Sequence, residues 1–285
     1  MSSKKIITNM DIIREMTLMD DIFMTVVFEN RPDCVEDILR IILSFEPKVE
    51  KVETQYDYSS VYGRSVKFDI LVRDKDNTLY DIEIQRANKG AVPKRARYHS
   101  SMLDTKALDK NEDFEQLRET YVIFITEHDI LGKNIPVYTI KRMIEETNDY
   151  FNDGEHIIYI NTAYKGMDVT EIEKLIHDFK CRDPKEMFIE SLRERCRDIK
   201  TGTAEKEADK MCELLEQKIK QERAEGLAEG RAEGRAEGRA EGKAEVRIST
   251  AEKMLLKNQF STDMIAEISG LTVEEVEKLK EKLSA

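Results

Sequence analysis

This chain of 285 residues lacks the sequence features that are typical of membrane, secreted and zinc-binding proteins. No apolar run approaches the roughly 20 residues that a transmembrane helix needs. The first residues also contain no apolar stretch of signal-peptide length. Cys34, Cys181, Cys196 and Cys212 are far apart with no Cys-x-x-Cys pair, and the four histidines show no metal-ligand spacing. We therefore expect a cytoplasmic protein with reduced thiols, no membrane association and no zinc site.

Positive charge is also scarce, because the formal net charge is −12. This balance argues against nucleic-acid binding over the whole surface. Residues 86–101 are an exception, since they contain no acidic residue and carry Arg86, Lys89, Lys94, Arg95 and Arg97. Such a stretch either attracts phosphate groups without reading base sequence or forms the basic face of an ordinary surface helix. The residues fit both interpretations.

Two strand-like segments, Val66–Asp74 and Thr78–Gln85, are separated by three polar residues. A hairpin with a three-residue loop places Asp69 directly opposite Glu83. Side chains paired in this way are roughly 4.5–5.5 Å apart at Cβ, so two ionised carboxylates repel each other. A shared divalent cation such as Mg²⁺ would turn that repulsion into a binding site, because it prefers oxygen ligands.

The same register places Lys67 opposite Gln85, on the face that carries the two carboxylates. Leu71 and Leu79 share this face, so it is not wholly polar. However, alternation of apolar and polar residues is also typical of a half-buried strand with a solvated acidic face. The pattern alone therefore favours the solvated face over a metal site.

The motifs occur in a recognisable order over roughly residues 15–165. They are Asp20-Asp21-Ile22-Phe23, Lys67-Phe68-Asp69, Asp81-Ile82-Glu83-Ile84-Gln85 and Arg95-Ala96-Arg97-Tyr98. In this order they resemble the PD-(D/E)XK nuclease superfamily, and within it the Rpn group of recombination-promoting nucleases or transposases.

The resemblance implies that Asp69 and Glu83 bind Mg²⁺, or alternatively Mn²⁺, together with the backbone carbonyl of Ile84. The ion would activate a water molecule and neutralise charge on the attacked phosphate. Most related nucleases have Lys where this chain has Gln85, which cannot act as a base. Gln85 is expected to orient water, while Lys67 across the hairpin supplies the missing positive charge.

The resemblance also bears on Asp20 and on the basic stretch. Asp20 either adds a carboxylate to the metal site or caps the helix that begins at the next residue. The stretch after the hairpin becomes the predicted DNA contact. Its predicted DNA-binding residues are Arg86, Lys89, Lys94, Arg95, Arg97 and Tyr98.

We predict an α/β fold with a mixed central sheet flanked by helices and a helical C-terminal extension. The predicted divisions are a nuclease-like domain (1–180), a charged helical segment (181–223), an Ala-Glu-Gly-Arg repeat spacer (224–245) and a three-helix module (246–285). A four-residue period rotates by about 40° per repeat on a helix. No apolar stripe is kept, which favours a marginally stable helical spacer over a coiled coil.

The last module contains a turn similar to that of a helix-turn-helix, at residues 265–272. The helix after it carries four glutamates, which suits packing or homo-oligomerisation better than DNA reading. Three functions remain: a Mg²⁺-dependent DNA endonuclease linked to recombination or mobile DNA, a weak or inactive nuclease-fold module that binds DNA or protein, and a purely structural protein.

Overall fold

The computed structural model describes residues 8–59, 63–87 and 90–284. It divides the chain into a first unit that ends at Glu216 and a second unit that begins at Gln217. The strands are β1 (Val49–Tyr58), β2 (Val66–Asp74), β3 (Leu79–Gln85), β4 (Thr120–Thr126), β5 (Val137–Ile140), β6 (Met143–Ile144), β7 (Asp149–Tyr150) and β8 (Glu155–Asn161). The α-helices are α1 (Asn9–Glu15), α2 (Asp21–Phe28), α3 (Pro32–Leu43), α4 (Pro93–Ala107), α5 (Glu171–Lys180), α6 (Glu190–Thr201), α7 (Glu205–Lys257), α8 (Thr262–Ser269) and α9 (Val273–Ser284). None of the described helices is long and apolar enough to cross a membrane.

The first unit contains a six-stranded sheet with the order β1-β2-β3-β4-β8-β5. β1, β2 and β3 are antiparallel, β3, β4 and β8 are parallel, and β5 is antiparallel to β8. β4 is buried along its whole length, as its unbroken run of apolar and β-branched residues predicts. The structure therefore confirms the predicted mixed sheet and α/β fold class.

Helices cover the sheet and fix the path of the chain. A parallel connection from β3 to β4 needs a crossover segment, and α4 provides it while packing against β3, β4 and β8. α2 and α3 contact β1, and α6 packs on α2 and α3. The core beneath α4 includes Phe68, Leu71, Leu103 and Phe124. This core positions α4 directly over one face of the hairpin.

The turn between β2 and β3 is held by the side chain of Asp74. Its Oδ1 accepts hydrogen bonds from the N–H groups of Asp76 and Thr78, both at 2.9 Å. Its Oδ2 accepts a bond from the Tyr80 hydroxyl at 2.8 Å. Asn77 adopts a φ of +62°, a conformation that asparagine tolerates better than most residues. The short polar loop is therefore a turn with a specific side-chain support.

This turn fixes the register of the hairpin. Ile70 pairs with Ile82 and Val72 pairs with Tyr80, which is the predicted register. The sequence did not indicate β5 or the small β6–β7 hairpin. Strand patterns at Val49–Tyr58, Tyr121–Thr126 and Ile157–Asn161 and a helical pattern at Pro93–Leu108 predict β1, β4, β8 and α4 to within two residues. The helical pattern over roughly residues 11–45 predicts the region that forms α1, α2 and α3.

The second unit is built around the end of α7, α8 and α9. Ala251, Ile265, Ala266 and Val276 form its buried apolar cluster. The sequence predicts N-caps at Ser261 and Thr272 and a helix end at Gly270. All three are present: Ser261 accepts from the backbone of α8, Thr272 forms a capping box, and Gly270 ends α8 with a φ of +71°. The tetrapeptide repeat lies within α7 as uninterrupted helix. The predicted division limits at residues 180, 223 and 245 stay predictions.

Candidate active site

The backbone ladder between β2 and β3 ends at Ile70 and Ile82, just before the two predicted carboxylates. Beyond this pair, side chains bridge the strands. The Asp69 N–H donates to Glu83 Oε1 at 3.0 Å, and the Ile84 N–H donates to Asp69 Oδ2 at 3.0 Å. Both carboxylates therefore lie in the same gap between the strands, each held by the backbone of the other strand.

This acidic face is not solvated. Glu83 and Asp81 are both 0% exposed, because α4 packs against β3 on this side. The alternative of a wet acidic face, which the alternating pattern allowed, is therefore wrong. Burying carboxylates without compensation is costly, so their partners decide what the site can do.

Arg95 on α4 connects most of the polar groups around Glu83. Its Nη2 donates to Glu83 Oε2 at 2.8 Å, and its Nη1 donates to Gln85 Oε1 at 3.2 Å and to the carbonyl of Gly90 at 2.8 Å. Its Nε donates to His99 Nε2 at 3.2 Å. A Cβ added at Gly90 would lie only 2.1 Å from Gln85 Oε1. The loop therefore approaches this network as closely as glycine permits.

His99 and Asp81 form a buried pair behind Arg95. His99 Nδ1 lies 2.8 Å from Asp81 Oδ2. Because Nε2 accepts from Arg95, the proton of the neutral ring belongs on Nδ1, which then donates to Asp81. The pKa of His99 is lowered by burial, which agrees with a neutral ring. The other oxygen, Asp81 Oδ1, is buried without a hydrogen-bond partner.

The sequence interpretation missed both members of this pair. Asp81 lies two residues before Glu83 on the same strand face, and His99 lies one helical turn after Arg95 on the same helix face. These spacings were available signals. On the same helix the sequence interpretation selected Tyr98 as a DNA contact. Its hydroxyl donates to the carbonyl of Arg64 at 2.5 Å.

The buried carboxylates of Asp69, Asp81 and Glu83 have few positively charged partners. Burial raises the pKa of Asp69 to about 6, with a further contribution from the negative charge of Asp21. Burial, followed by the charges of neighbouring carboxylates, raises the pKa values of Asp81 and Glu83 well above their ordinary values. A site that disfavours negative charge in this way favours either protons or an added cation.

The donor atoms fit a divalent cation. One ligand atom from each of Asp81, Glu83 and His99 lies within 4.8 Å of the others. The unpartnered Oδ1 of Asp81 is an oxygen that a cation would satisfy. His99 is the weaker ligand, because the bond from Arg95 leaves the proton on Nδ1. A set dominated by carboxylate oxygens suits Mg²⁺ or Mn²⁺.

A cleft of about 690 Å³ opens beside the buried cluster. Among the described residues that line it, Arg64, Lys67, Lys94 and Arg95 are basic, and none is acidic. His99 also contributes to the lining. The acid-free stretch that follows the hairpin thus supplies one wall of a basic cleft.

A family model described as PD-(D/E)XK nuclease family transposase matches residues 29–233. The chain belongs to this family. The match includes the hairpin, α4 and the basic cleft, and it supports a nuclease-like function. No curated protein and no solved structure gives a significant match to the chain.

As a PD-(D/E)XK nuclease family member, this chain departs from the usual motif at Gln85. Its side chain is half-buried and its Nε2 lies 3.4 Å from Glu83 Oε2, while its Oε1 accepts from Arg95. Lys67, the predicted substitute cation, is exposed and lines the cleft. Gln85 therefore belongs to the hydrogen-bond network around Glu83, whereas Lys67 lies in the exposed lining of the cleft.

The remaining predicted residues of this family member lie further out. Asp20 occupies the cap position of α2 without a capping bond from its side chain. Its Oδ2 accepts from the Thr17 N–H at 2.8 Å, and its Oδ1 accepts from Arg86 at 2.6 Å. Arg86 also pairs with Glu127 at 3.2 Å. Arg97 is exposed on α4, and the predicted DNA contact Lys89 lies outside the described residues.

Proposed function

We propose that this protein is a Mg²⁺-dependent DNA endonuclease that also accepts Mn²⁺. The observation that carries the proposal is the adjacency of a buried carboxylate cluster to a basic cleft, with Arg95 belonging to both. A link to recombination or mobile DNA rests on the description of the family alone. A cytoplasmic location is part of the same proposal, because the four cysteines are free thiols.

The carboxylates of Asp69, Glu83 and Asp81 would hold the cation. The Ile84 carbonyl is a further candidate ligand, because its N–H points toward Asp69 and both polar groups of a strand residue point to one side. When bound, the ion would lower the pKa of a water molecule and neutralise charge on the attacked phosphate. Asp20 would join this set only if its pairing with Arg86 were broken.

The basic residues of the cleft would hold the DNA backbone. Arg64, Lys67 and Lys94 lie where they can meet phosphate groups, and none of the described residues around them in the lining is acidic. Such contacts provide affinity rather than sequence specificity. Replacing Lys94 with Met should lower the slope of log affinity against log salt concentration by about 1.

Gln85 would position the attacking water, because its amide cannot take a proton from it. Its bonds to Arg95 and Glu83 fix the side chain within reach of the carboxylates. His99 acts behind this layer, where its imidazole donates to Asp81 and accepts from Arg95. We therefore assign His99 a positioning role.

Nicking of supercoiled DNA tests the proposal. The purified chain would be incubated with Mg²⁺ or Mn²⁺ beside Glu83→Gln and Asp69→Asn, with Asp76→Asn as a control in the exposed turn. We expect metal-dependent nicking by the wild type and by Asp76→Asn, and a loss of at least a hundredfold, on the order of what oriented catalytic groups supply, in the two site variants. Nicking that survives both site substitutions would refute the assignment.

Two observations favour a second candidate, a nuclease-fold module that binds DNA without cutting it. Glu83 is already paired with Arg95, and the usual Lys is replaced by Gln85. In that case the protein should bind DNA with the same affinity with or without metal. Binding without nicking under any metal condition would support this alternative over the endonuclease.

Self-association through the C-terminal helices is a separate part of the proposal. The second unit exposes Leu256, Phe260, Met264 and Ile268, spaced four residues apart. Exposed apolar side chains of this kind favour contact with another surface. Light scattering coupled to size exclusion should give a dimer or larger species, and Ile268→Glu should shift it to the monomer. A wild-type monomer at all concentrations would contradict self-association.

A further inference from the structure

Arg95 has a place in the site that neither metal binding nor DNA contact alone explains. We propose that Arg95 is the counter-cation of Glu83 in the metal-free protein, and that a divalent cation displaces it from Glu83 into the basic cleft. The inference rests on the proposed metal-dependent function and assigns one residue a role in coupling metal to DNA.

The first support is the charge balance around the hairpin. Asp81 and Glu83 are both 0% exposed, and the carboxylates of Asp69 and Glu83 lie in one gap between β2 and β3. In the part of the chain that the structure describes, Arg95 is the only arginine or lysine in an ion pair with any of the three. Its Nη2 therefore supplies, at 2.8 Å from Glu83 Oε2, the positive charge that a metal ion would otherwise supply.

The second support is that the Arg95 side chain already borders the cleft into which it would move. The side chain of Arg95 is 35% exposed, whereas that of Glu83 is 0% exposed. Arg95 also lines the cleft together with Lys94 and Lys67. Its other acceptors near this end, Gln85 Oε1 and the Gly90 carbonyl, are neutral. Leaving Glu83 therefore breaks only one ion pair, while neutral groups keep the guanidinium close by.

The third support is electrostatic. A divalent ion at Glu83 and a guanidinium bonded to the same carboxylate repel each other across a poorly screened site. The ion with the higher charge takes the shared oxygen, and Arg95 becomes free to pair with a phosphate, whose geometry suits a guanidinium. Metal binding and DNA binding then strengthen each other, and this coupling is reciprocal.

Metal affinity provides the direct test. Mn²⁺ binding would be measured by calorimetry at pH 8.5, where protons compete least for the carboxylates, on the wild type, Arg95→Met and Lys94→Met. We expect Arg95→Met to bind Mn²⁺ at least tenfold more tightly, equivalent to about 1.4 kcal/mol. Lys94→Met removes a cation from the same cleft without touching Glu83, so its Mn²⁺ affinity should be unchanged. An equal or weaker affinity in Arg95→Met would overturn the inference.

DNA affinity provides the second readout. Fluorescence anisotropy with a phosphorothioate duplex, which resists hydrolysis, would compare affinity with and without Mn²⁺. The wild type and Lys94→Met should both gain affinity when Mn²⁺ is added, whereas Arg95→Met should not. If Arg95→Met fails to fold, Arg95→Lys replaces it, and its Mn²⁺ affinity should exceed that of the wild type because a single ammonium loses the forked contacts. A wild-type affinity in Arg95→Lys would then overturn the inference.

These measurements separate the inference from the proposed function. Tighter Mn²⁺ binding by Arg95→Met in a protein that never nicks DNA would support the displacement and reject the endonuclease. Nicking by the wild type with weaker Mn²⁺ binding by Arg95→Met would do the reverse. Absence of Mn²⁺ binding to the wild type would overturn both.

Discussion

Asparagine at position 81 should make the metal-free protein more stable and the metal site weaker. Asp81 is 0% exposed, one of its oxygens has no partner, and burial together with the charge of Asp69 raises its pKa well above the ordinary value. Asparagine keeps an oxygen that accepts from His99 and replaces the other oxygen with a donor that faces acidic neighbours. The substitution therefore removes a buried group that must take up a proton to avoid a buried charge, and it leaves no cavity.

The size of the effect follows from the pKa argument. The ordinary pKa of the group is 3.8, so holding it neutral at pH 7 costs at most about 4 kcal/mol. Part of this cost returns as interaction with His99, and we expect a net gain of about 1–3 kcal/mol. For a unit of this size, each kcal/mol raises the melting temperature by about 2–4 °C.

Calorimetric unfolding in EDTA at pH 7 measures this gain, and Mn²⁺ titration measures the accompanying loss of affinity. Asp74→Asn is the matched control, because Asp74 is also buried but both of its carboxylate oxygens accept hydrogen bonds. The donors are two backbone N–H groups and the Tyr80 hydroxyl. Asp74→Asn should lower stability by about 1–2 kcal/mol. A loss of stability in Asp81→Asn similar to that in Asp74→Asn would refute the reasoning.

Three further predictions concern other parts of the first unit. Burial raises the pKa of Asp69 from 3.8 to about 6. In EDTA the free energy of unfolding should therefore fall as pH rises from about 4 to 6, because the folded state must lose a proton that the unfolded state has already lost. Urea titrations of Asp69→Asn should lack this part of the decline. Gly90→Ala should turn the Gln85 amide away and lower nicking at least tenfold, on the order of a lost oriented group, with little change in melting temperature. Lys200→Met should cost about 2–4 kcal/mol in urea unfolding, because this buried ammonium donates to three backbone carbonyls.

Each of these has a result that would contradict it. An identical pH dependence of stability in Asp69→Asn and the wild type would remove Asp69 as the cause. Gly226→Ala serves as the control for Gly90→Ala, since a Cβ at Gly226 meets nothing within 4 Å, and equal nicking by the two variants would reject the steric argument. Stability of Lys200→Met within about 0.5 kcal/mol of the wild type would mean that the carbonyls find other partners.

The sequence predicted the hairpin well because local chemistry decides it. Alternating apolar residues in β2 and β3 and a short polar loop determine the pairing of Asp69 with Glu83, and Asp74 sits where its side chain can close the turn. Burial of Glu83 is a different matter. It depends on α4 packing over the strand, and nothing in the alternation distinguishes a covered acidic face from a wet one.

The missed residues and strands also have physical reasons. His99 shares a helix face with Arg95, but this spacing does not identify the role of the histidine until its partner Asp81 on another element is known. β5, β6 and β7 are four residues long or shorter, so they are too short for a periodic pattern to stand out. Long-range contacts, rather than local preference, specify these parts.

Two backbone amides in the gap between β2 and β3 should report on the charge of the site by NMR. The N–H groups of Asp69 and Ile84 bond to carboxylates instead of backbone carbonyls, so their chemical shifts and exchange with deuterium depend on the charge carried by Glu83 and Asp69. Protonation, metal binding or departure of Arg95 would each alter those two amides first. Two NMR signals could therefore follow the charge state of the carboxylate cluster without any measurement of activity.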